Sequence, residues 1–252
     1  MKPASISVQL YSVREQAARD FPGVLEKIAA MGYAGVEFAG FHNMKPAELK
    51  KIVDRLGLKV SSAHMPMPTA ENVKDLVDTA KTLGFSYIVT GLGPDEFATR
   101  EKTLAAADKF KAAAALLKGT GCRLGVHNHY WEFDKQFDGQ YPHDVLMAAV
   151  PDLLAQLDIY WVATGGADPA KVVAKAGARA PLLHIKDGPC NTKEAMTAVG
   201  KGKINWQPVL EAAAPHVEWL IVELDRCDTD MMQAVADSYR FLAKSGFGKG
   251  RK

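Results

Sequence analysis

The run Pro181-Leu182-Leu183-His184 places a short, strand-like apolar segment directly before an imidazole that can bind a divalent cation. The same ending recurs in Gly125-Val126-His127, Leu153-Leu154-Ala155-Gln156-Leu157-Asp158 and Trp219-Leu220-Ile221-Val222-Glu223. Two imidazoles and two carboxylates on separate buried strands can meet only if those strands lie side by side with their carboxyl ends on one face. The pattern therefore predicts an α/β fold, a (β/α)₈ barrel with a metal at its mouth.

An amphipathic helix, a glycine and a short apolar strand recur in this order along the chain. The glycines are Gly32, Gly57, Gly84 and Gly121, and glycine readily takes the left-handed conformation that ends a helix. The predicted strands cover residues 6–10, 34–38, 58–63, 86–90, 122–127, 153–158, 181–186 and 219–224. Eight strand–helix units in 252 residues leave about 31 residues for each, close to what one βα repeat requires.

Residues 1–252 are interpreted as a single TIM-barrel domain, because no linker or low-complexity segment interrupts the series. A polar, glycine-rich tail at 246–252 is expected to be flexible. The longest irregular segment, from Gly188 to Asn205, follows the seventh predicted strand. Long βα loops lie at the catalytic face of a barrel, so this segment is a candidate lid.

Composition excludes several classes of partner. The chain has 31 lysine and arginine residues against 29 aspartate and glutamate residues, and a net charge of +2 is too small to indicate a nucleic-acid track or an anionic membrane surface. No stretch approaches the roughly 20 apolar residues that a membrane span needs. The three cysteines lack paired metal spacing, which predicts a reducing, cytoplasmic location. A small polar or neutral partner fits best, and a homo-oligomer stays open.

Nearly every predicted strand ends in a polar side chain. These residues are Gln9, Glu37, His64, Thr90, His127, Asp158, His184 and Glu223. The apolar layers inside a barrel accommodate such groups only at its open end, where they meet solvent or a ligand. We favour a structural role for Gln9 and Thr90, and a functional role for His184 and Glu223. A mixed nitrogen and oxygen set suits Mn²⁺, Zn²⁺, Co²⁺ or Fe²⁺ better than Ca²⁺.

Five motifs in sequence order make the chain resemble the sugar phosphate isomerase/epimerase superfamily, whose members have xylose isomerase-like TIM barrels. The motifs are GVHNHYWEF (125–133), LDIYW (157–161), GGADP (165–169), LHIKDG (183–188) and VELD (222–225). The resemblance spans nearly the whole sequence. It implies a metal-dependent enzyme with a small-molecule carbohydrate substrate, without fixing which carbohydrate.

In that superfamily the metal is typically held by glutamate, aspartate, histidine and glutamate from successive later strands. Asp158, His184 and Glu223 match the last three positions. The first position departs, because the chain reads His127-Asn128-His129 where many relatives have glutamate. We rank His127 first as the fourth ligand. His129, which shares its face if the chain stays extended, and Glu132 are the alternatives.

The departure also affects the proton-transfer groups. In the ketose epimerases of the superfamily, two metal-bound glutamates transfer the protons, and only Glu223 remains here. A second base has to come from His127, His129, Glu132, His64 or Lys186. Lys186 shares the inward parity of His184, so it is predicted either to bind substrate and stabilise an enediolate or to pair with Asp187 or Glu223.

Substrate contacts are assigned to Lys186, Glu37, Trp131 and Trp161. Aromatic faces suit the C–H face of a sugar ring, although two of the four aromatic residues Tyr130, Trp131, Tyr160 and Trp161 are expected to face helices instead.

Metal-dependent isomerisation or epimerisation of a sugar or cyclitol is the leading hypothesis, through proton abstraction next to a carbonyl. A lyase or hydrolase that cleaves 3-keto-glycosides, or dehydrates a keto-cyclitol, is the first alternative, because the histidine-rich fifth-strand motif resembles such branches of the superfamily. The sequence gives less support to two other classes of protein. One is a non-catalytic sugar-binding module. The other is an abasic-site endonuclease, which needs more metal ligands and more surplus positive charge than this chain has.

Overall fold

The computed structural model describes residues 3–251 and confirms the predicted (β/α)₈ barrel. Its eight parallel strands are β1 (Ala4–Gln9), β2 (Gly35–Ala39), β3 (Lys59–His64), β4 (Tyr87–Thr90), β5 (Arg123–His127), β6 (Leu154–Asp158), β7 (Leu182–Ile185) and β8 (Trp219–Val222). Hydrogen-bonded order runs from β2 through β8 to β1, and β1 also pairs with β2, so the ring is closed.

The predicted strand boundaries are correct to within two residues. The clearest shift is in β1, which was expected at 6–10 but ends at Gln9, because Leu10 begins a 3₁₀ turn over Leu10–Val13. The Gln9 side-chain oxygen accepts a hydrogen bond from the Tyr11 N–H at 3.1 Å and caps this turn. A capping role of this kind is what the sequence favoured for Gln9.

Helices follow the strands around the outside of the ring. In the described residues they are α1 (Arg14–Ala17), α2 (Phe21–Met31), α3 (Pro46–Arg55), α4 (Val73–Leu83), α5 (Arg100–Leu117), α6 (Pro142–Ala149), α7 (Ile159–Thr164), α8 (Pro169–Ala176), α9 (Trp206–Ala213) and α10 (Met231–Lys244). Gly32 ends α2 with φ 101° and Gly84 ends α4 with φ 81°, as the pattern predicted. None of the helices described between residues 3 and 251 combines the length and apolarity required to cross a bilayer.

The barrel interior contains both an apolar cluster and a buried polar set. Tyr87, Val89, Leu154, Leu182 and Ile221, from β4, β6, β7 and β8, form a small buried cluster that is separate from the main core between sheet and helices. The β1–β3 side instead buries a polar set: Ser7, Gln9, Glu37, Ser61 and Ser62. These groups are tolerated because they hydrogen-bond to one another, as the Ser7 and Ser61 hydroxyls do at 2.9 Å.

A ninth strand, β9 (Gly248–Lys249), pairs with β1, where Ala4 is in register with Gly248. The Arg251 N–H donates to the Gly32 carbonyl at 2.9 Å. Most of the segment that was expected to be a flexible tail is therefore held by main-chain hydrogen bonds. Its mobility stays a prediction, and Lys252 lies outside the described residues.

The candidate lid from Gly188 to Asn205 is organised by the buried carboxylate of Asp187. This carboxylate accepts hydrogen bonds from the N–H groups of Gly200 at 2.9 Å and Ile204 at 3.2 Å, and from the Trp206 indole at 2.8 Å. Asp187 thus ties the two ends of the loop together. Opening of this loop as a lid stays a prediction.

Candidate metal centre

Four of the residues predicted as metal ligands come together at the carboxyl ends of β5 to β8. His127 ends β5, Asp158 ends β6, His184 lies in β7, and Glu223 follows β8 directly. Each is buried and offers one ligand atom, and the four atoms lie within 4.8 Å of one another. The convergence that the strand-end pattern required is therefore present, while their binding of a metal stays a prediction.

The distances around Asp158 define the centre of this group. Asp158 Oδ2 lies 3.9 Å from His127 Nε2 and 4.0 Å from His184 Nδ1, and His184 Nδ1 lies 2.7 Å from Glu223 Oε2. Ligand atoms 2.0–2.2 Å from one ion are separated by distances of about this size. A second possible group combines His127 and His184 with His64, whose ring stacks on His184 with centroids 5.5 Å apart.

The Asp158 carboxylate tests whether these residues suit a cation. Oδ1 accepts a hydrogen bond from the Trp161 N–H at 2.9 Å and so begins α7, whereas Oδ2 is buried, accepts no hydrogen bond and has the Lys186 ammonium 3.1 Å away. Burial raises the pKa of Asp158 to about 6, against the opposing charge of Lys186. A buried carboxylate oxygen that accepts no hydrogen bond and lies among two imidazoles, a second carboxylate and the Lys186 ammonium fits a divalent cation of the Mn²⁺, Zn²⁺, Co²⁺ or Fe²⁺ type.

The other carboxylate beside His184 belongs to Glu37 and is saturated with hydrogen bonds. Gln9 Nε2 and His184 Nε2 each lie 2.6 Å from Oε1, and Oε2 accepts from the Ser62 hydroxyl and from Gln156 Nε2. Burial alone would raise the pKa of Glu37, but His184 and His64 lower it to about 2. Glu37 was predicted to contact substrate. That contact stays a prediction, and the observed bonds give Glu37 the role of orienting His184.

Gln156 is a site residue that sequence reasoning missed. Its side-chain oxygen lies 2.7 Å from His64 Nε2 and 3.1 Å from His127 Nδ1, and its amide nitrogen donates to Glu37. Gln156 is fully buried in β6. The sequence could have indicated it, because Gln156 precedes Asp158 by two residues, and side chains two residues apart in a strand face the same side.

Lys186 places its ammonium among three carboxylates. Nζ lies 3.1 Å from Asp158 Oδ2, 2.8 Å from Glu223 Oε2 and 2.9 Å from Asp225 Oδ2. Burial would lower the pKa of Lys186, but these carboxylates raise it well above its ordinary value. Of the two structural pairings considered from the sequence, the one with Glu223 is observed. Asp187, which lies beyond the end of β7, instead organises the loop.

Glu223 and His184 form an ion pair in this setting. Burial would raise the pKa of Glu223, but Lys186 and His184 hold it well below its ordinary value. Burial would lower the pKa of His184, but Glu37 and Glu223 raise it to about 10. His127 differs, because burial and the nearby positive charges lower its pKa well below the usual range. Glu223 is thus held as a carboxylate at neutral pH.

The loop after β5 places the alternative fourth ligands outside the group. Among residues 3–251, neither His129 nor Glu132 shares the ligand cluster. The strand ends at His127, so the extended chain that would have put His129 on the same face is not formed. The His129 N–H donates to Glu132 Oε2 at 2.9 Å, while Glu132 Oε1 is buried without a partner, and burial raises the pKa of Glu132 to about 8.

Aromatic side chains stand beside this loop. The His129 ring stacks on Trp131 with centroids 4.1 Å apart, and Lys186 Nζ lies 5.5 Å from the centre of the Trp161 ring. Tyr160 is buried, and its hydroxyl donates to the Asn191 carbonyl at 3.0 Å. Tyr130, Trp131 and Trp161 are partly buried, and the contact of Trp131 and Trp161 with substrate stays a prediction.

Comparisons with known proteins agree with this architecture. Residues 25–245 match the family described as xylose isomerase-like TIM barrel. A sugar phosphate isomerase/epimerase from Parabacteroides distasonis superposes with a TM-score of 0.79 at 24% identity, covering 98% of this chain and 96% of its own. The probable 3-DHS dehydratase AsbF from Bacillus anthracis gives a TM-score of 0.78 at 13% identity, covering 95% and 98%.

A third structure, of the IolI protein with a bound zinc atom, gives a TM-score of 0.76 at 15% identity, covering 95% of this chain and 97% of that one. No curated protein sequence matches the chain significantly. At these identities the three structures establish a shared fold.

Proposed function

Because the chain belongs to the family of xylose isomerase-like TIM barrels, we propose that it is a divalent-metal-dependent isomerase or epimerase of a sugar or cyclitol. One observation carries the proposal: Asp158 Oδ2, which accepts no hydrogen bond, lies between two imidazoles and beside the Lys186 ammonium, which also pairs with Glu223. Groups that would hold a cation and groups that would move a proton thus share one end of the barrel.

His127, Asp158, His184 and Glu223 would hold the cation. When bound, such an ion supplies Lewis-acid stabilisation of the charge that develops on a carbonyl oxygen as a neighbouring carbon loses its proton. Their nitrogen and oxygen donors favour Mn²⁺, Zn²⁺, Co²⁺ or Fe²⁺. The IolI protein, which shares this fold, has a bound zinc atom, and this supports the choice of a metal.

Glu223 is the proposed base. Lys186 and His184 keep its carboxylate ionised, and Glu223 Oε2 is engaged by both, which leaves the other oxygen to accept a proton from substrate. Lys186 remains an ammonium and can donate a hydrogen bond to a substrate oxygen. His64 is the proposed second proton-transfer group, because its side chain is 28% exposed while its ring contacts those of His127 and His184.

Two further groups would complete the substrate site. Trp131 and Trp161 would stack against the C–H face of the sugar or cyclitol ring. His129 would lie at the edge of this contact, because it stacks on Trp131 and its Nδ1 has no partner. The substrate class is a neutral, hydroxyl-rich small molecule.

Elimination is the second candidate function, as in cleavage of a 3-keto-glycoside or dehydration of a keto-cyclitol. The observation that favours it is asymmetry: Glu223 has no second glutamate in the ligand cluster, and the buried Glu132 carboxyl, outside that cluster, has its pKa raised by burial to about 8. A base on one side and a proton donor on the other suit loss of a leaving group as well as epimerisation.

The deciding experiment is a substrate screen of the purified, metal-analysed protein in D₂O with keto-sugars, cyclitols and 3-keto-glycosides. The proposal expects deuterium at the carbon next to the carbonyl and a rearranged product, both lost with chelator and restored by Mn²⁺, Zn²⁺, Co²⁺ or Fe²⁺. A free aglycone or a dehydrated product would indicate an elimination reaction. Ligand binding that survives chelation without turnover would indicate a binding module, and cleavage of abasic DNA a nuclease.

A further inference from the structure

Gln156, in β6, connects side chains from three other strands in the closed interior of the barrel. Its amide contacts Glu37 of β2, His64 of β3 and His127 of β5. Nothing in the proposed reaction requires a neutral amide at this depth. A fully buried amide that contacts two imidazoles at once can determine which nitrogen of each ring carries the proton.

The direction of each hydrogen bond follows from the chemistry of Glu37. An ionised carboxylate only accepts, so the Gln156 nitrogen has to face Glu37 and the Gln156 oxygen has to face the histidines. That oxygen also only accepts. The nitrogens in contact with it, His64 Nε2 at 2.7 Å and His127 Nδ1 at 3.1 Å, therefore both carry hydrogen.

A neutral imidazole has one N–H and one lone pair, so fixing the first fixes the second. His127 Nε2 then holds a lone pair on the side of Asp158, whose Oδ2 is 3.9 Å away. His64 Nδ1 is likewise left without a proton. We propose that Gln156 is a positioning residue that sets the tautomers of His127 and His64 together.

The consequence for metal binding rests on the proposed function, whereas the tautomers themselves do not. With its lone pair fixed toward Asp158, His127 is prepared as a ligand without rearrangement. Groups that orient metal-binding histidines in this way typically contribute 10–100-fold to metal affinity. For His64, the same contact presents Nδ1 as the nitrogen able to take up a proton.

Nuclear magnetic resonance of ¹⁵N-histidine protein, prepared without added metal near pH 7.5, tests the tautomers directly. Signals would be assigned from single-histidine substitutions. The expected pattern is Nδ1–H for His127 and Nε2–H for His64. Observation of Nε2–H for His127 in the unmodified protein overturns the proposal, whatever the protein is later found to catalyse.

Three variants separate the contact with the histidines from the contact with Glu37. Gln156→Met removes both and is expected to mix the tautomers and weaken Zn²⁺ or Co²⁺ binding about 10–100-fold. Gln156→Glu, which as a protonated carboxyl keeps a donor toward Glu37 and an accepting oxygen toward the histidines, should preserve the His127 tautomer. Gln9→Met is the matched control, because Gln9 is a fully buried amide that donates to Glu37 but contacts no histidine.

Equal losses of metal affinity in Gln9→Met and Gln156→Met would show that Gln156 acts only through Glu37, and would overturn the proposal. The Co²⁺ absorption spectrum gives a readout independent of activity, because it reports ligand geometry. If Gln156→Met fails to fold, the histidine tautomers measured in the unmodified protein and in Gln156→Glu still test the proposal. Failure of the unmodified protein to bind any of these metals would reject the proposed function and leave the tautomer test standing.

Discussion

Two layers of the barrel interior contain equally buried carboxylates with opposite bonding. In the support layer, Glu37 and Gln156, each carboxylate and amide atom is matched by a hydrogen-bond partner. In the ligand layer, formed by His127, Asp158, His184 and Glu223, the Asp158 Oδ2 atom accepts no hydrogen bond and has only the Lys186 ammonium, 3.1 Å away, beside it. Glu37 and Asp158 both have 0% exposure, so burial does not distinguish them. Hydrogen-bond saturation does, and it marks one layer as structural and the other as a place for a ligand.

Substitution in the support layer should produce the largest effect. Glu37→Gln introduces a buried NH₂ among groups that already donate, and it removes the charge opposite His184. We expect the free energy of unfolding to fall by about 4 kcal/mol, as when a buried ion pair loses one partner. Urea unfolding measures it, with Glu48→Gln, an exposed cap of α3, as the control. A loss no larger than that of the control would mean that Glu37 is not structural.

The matching change in the ligand layer is Asp158→Asn, which should spare the fold and remove the ion. The Asn oxygen can still accept from the Trp161 N–H, but a neutral amide is a poor ligand. Zn²⁺ or Co²⁺ affinity should fall more than about 100-fold, close to 3 kcal/mol. The free energy of unfolding in chelator should fall clearly less than in Glu37→Gln.

Asp168→Asn is the control for that experiment, because Asp168 caps α8 in the same way, accepting from the N–H groups of Ala170 and Lys171. It should retain full metal content. Full metal content in Asp158→Asn as well would remove Asp158 from the ligand set and, with it, the difference between the two layers.

Glu132 sharpens the comparison, because it too is a buried carboxyl with an unpartnered oxygen but lies outside the ligand layer. Its pKa is raised to about 8, above its value in the unfolded chain. Its contribution to stability is therefore complete below about pH 4.5 and is lost as pH rises toward 8. Glu132→Gln should be more stable than the unmodified protein at pH 8, by about 1.4 kcal/mol for each unit by which the pKa is raised, with no difference near pH 4.5.

Denaturant titrations at several pH values, in chelator, measure this effect. The gain should be independent of added metal. A metal-dependent difference between Glu132→Gln and the unmodified protein would place Glu132 in the ligand layer after all.

The smallest effect is expected at the rim. Trp161→Phe keeps an aromatic face but reduces its area next to Lys186, so KM for the substrate found in the screen should rise about three- to tenfold, roughly 1 kcal/mol, with kcat nearly unchanged. Trp219→Phe, at the amino end of β8 and thus at the opposite end of the barrel, is the control. Equal changes in both variants would argue against substrate contact by Trp161.

The ligand layer could be predicted from the sequence because each member ends an apolar strand. His184 and Glu223 stand out against three or four apolar neighbours, and the closure of a parallel ring brings strand ends together whatever the loops do. The same reasoning gave the eight strands and the glycine-ended helices such as α2.

The support layer could not be predicted in this way. The alternation of side chains along a strand places Gln156 and Glu37 on the inward face. Their partners, however, come from strands on other sides of the ring, and the stagger between strands determines which side chains meet. An apolar filling was expected, whereas Ser7, Ser61 and Glu37 make part of it polar. The end of β5 at His127 agrees with the predicted strand over 122–127, but the path of the chain after it could not be predicted, and that path places His129 outside the ligand layer.

The closure of the ring has a consequence for biosynthesis. β1, made within the first ten residues described, completes its pairing only with β8, in register from Ser5 with Trp219 to Val8 with Val222. A nascent chain therefore carries β1 with one edge unpaired until more than two hundred further residues have been translated. We expect folding to be late and to depend on contacts distant in sequence, so that ribosome-bound fragments ending before β8 are the species most exposed to proteases and chaperones.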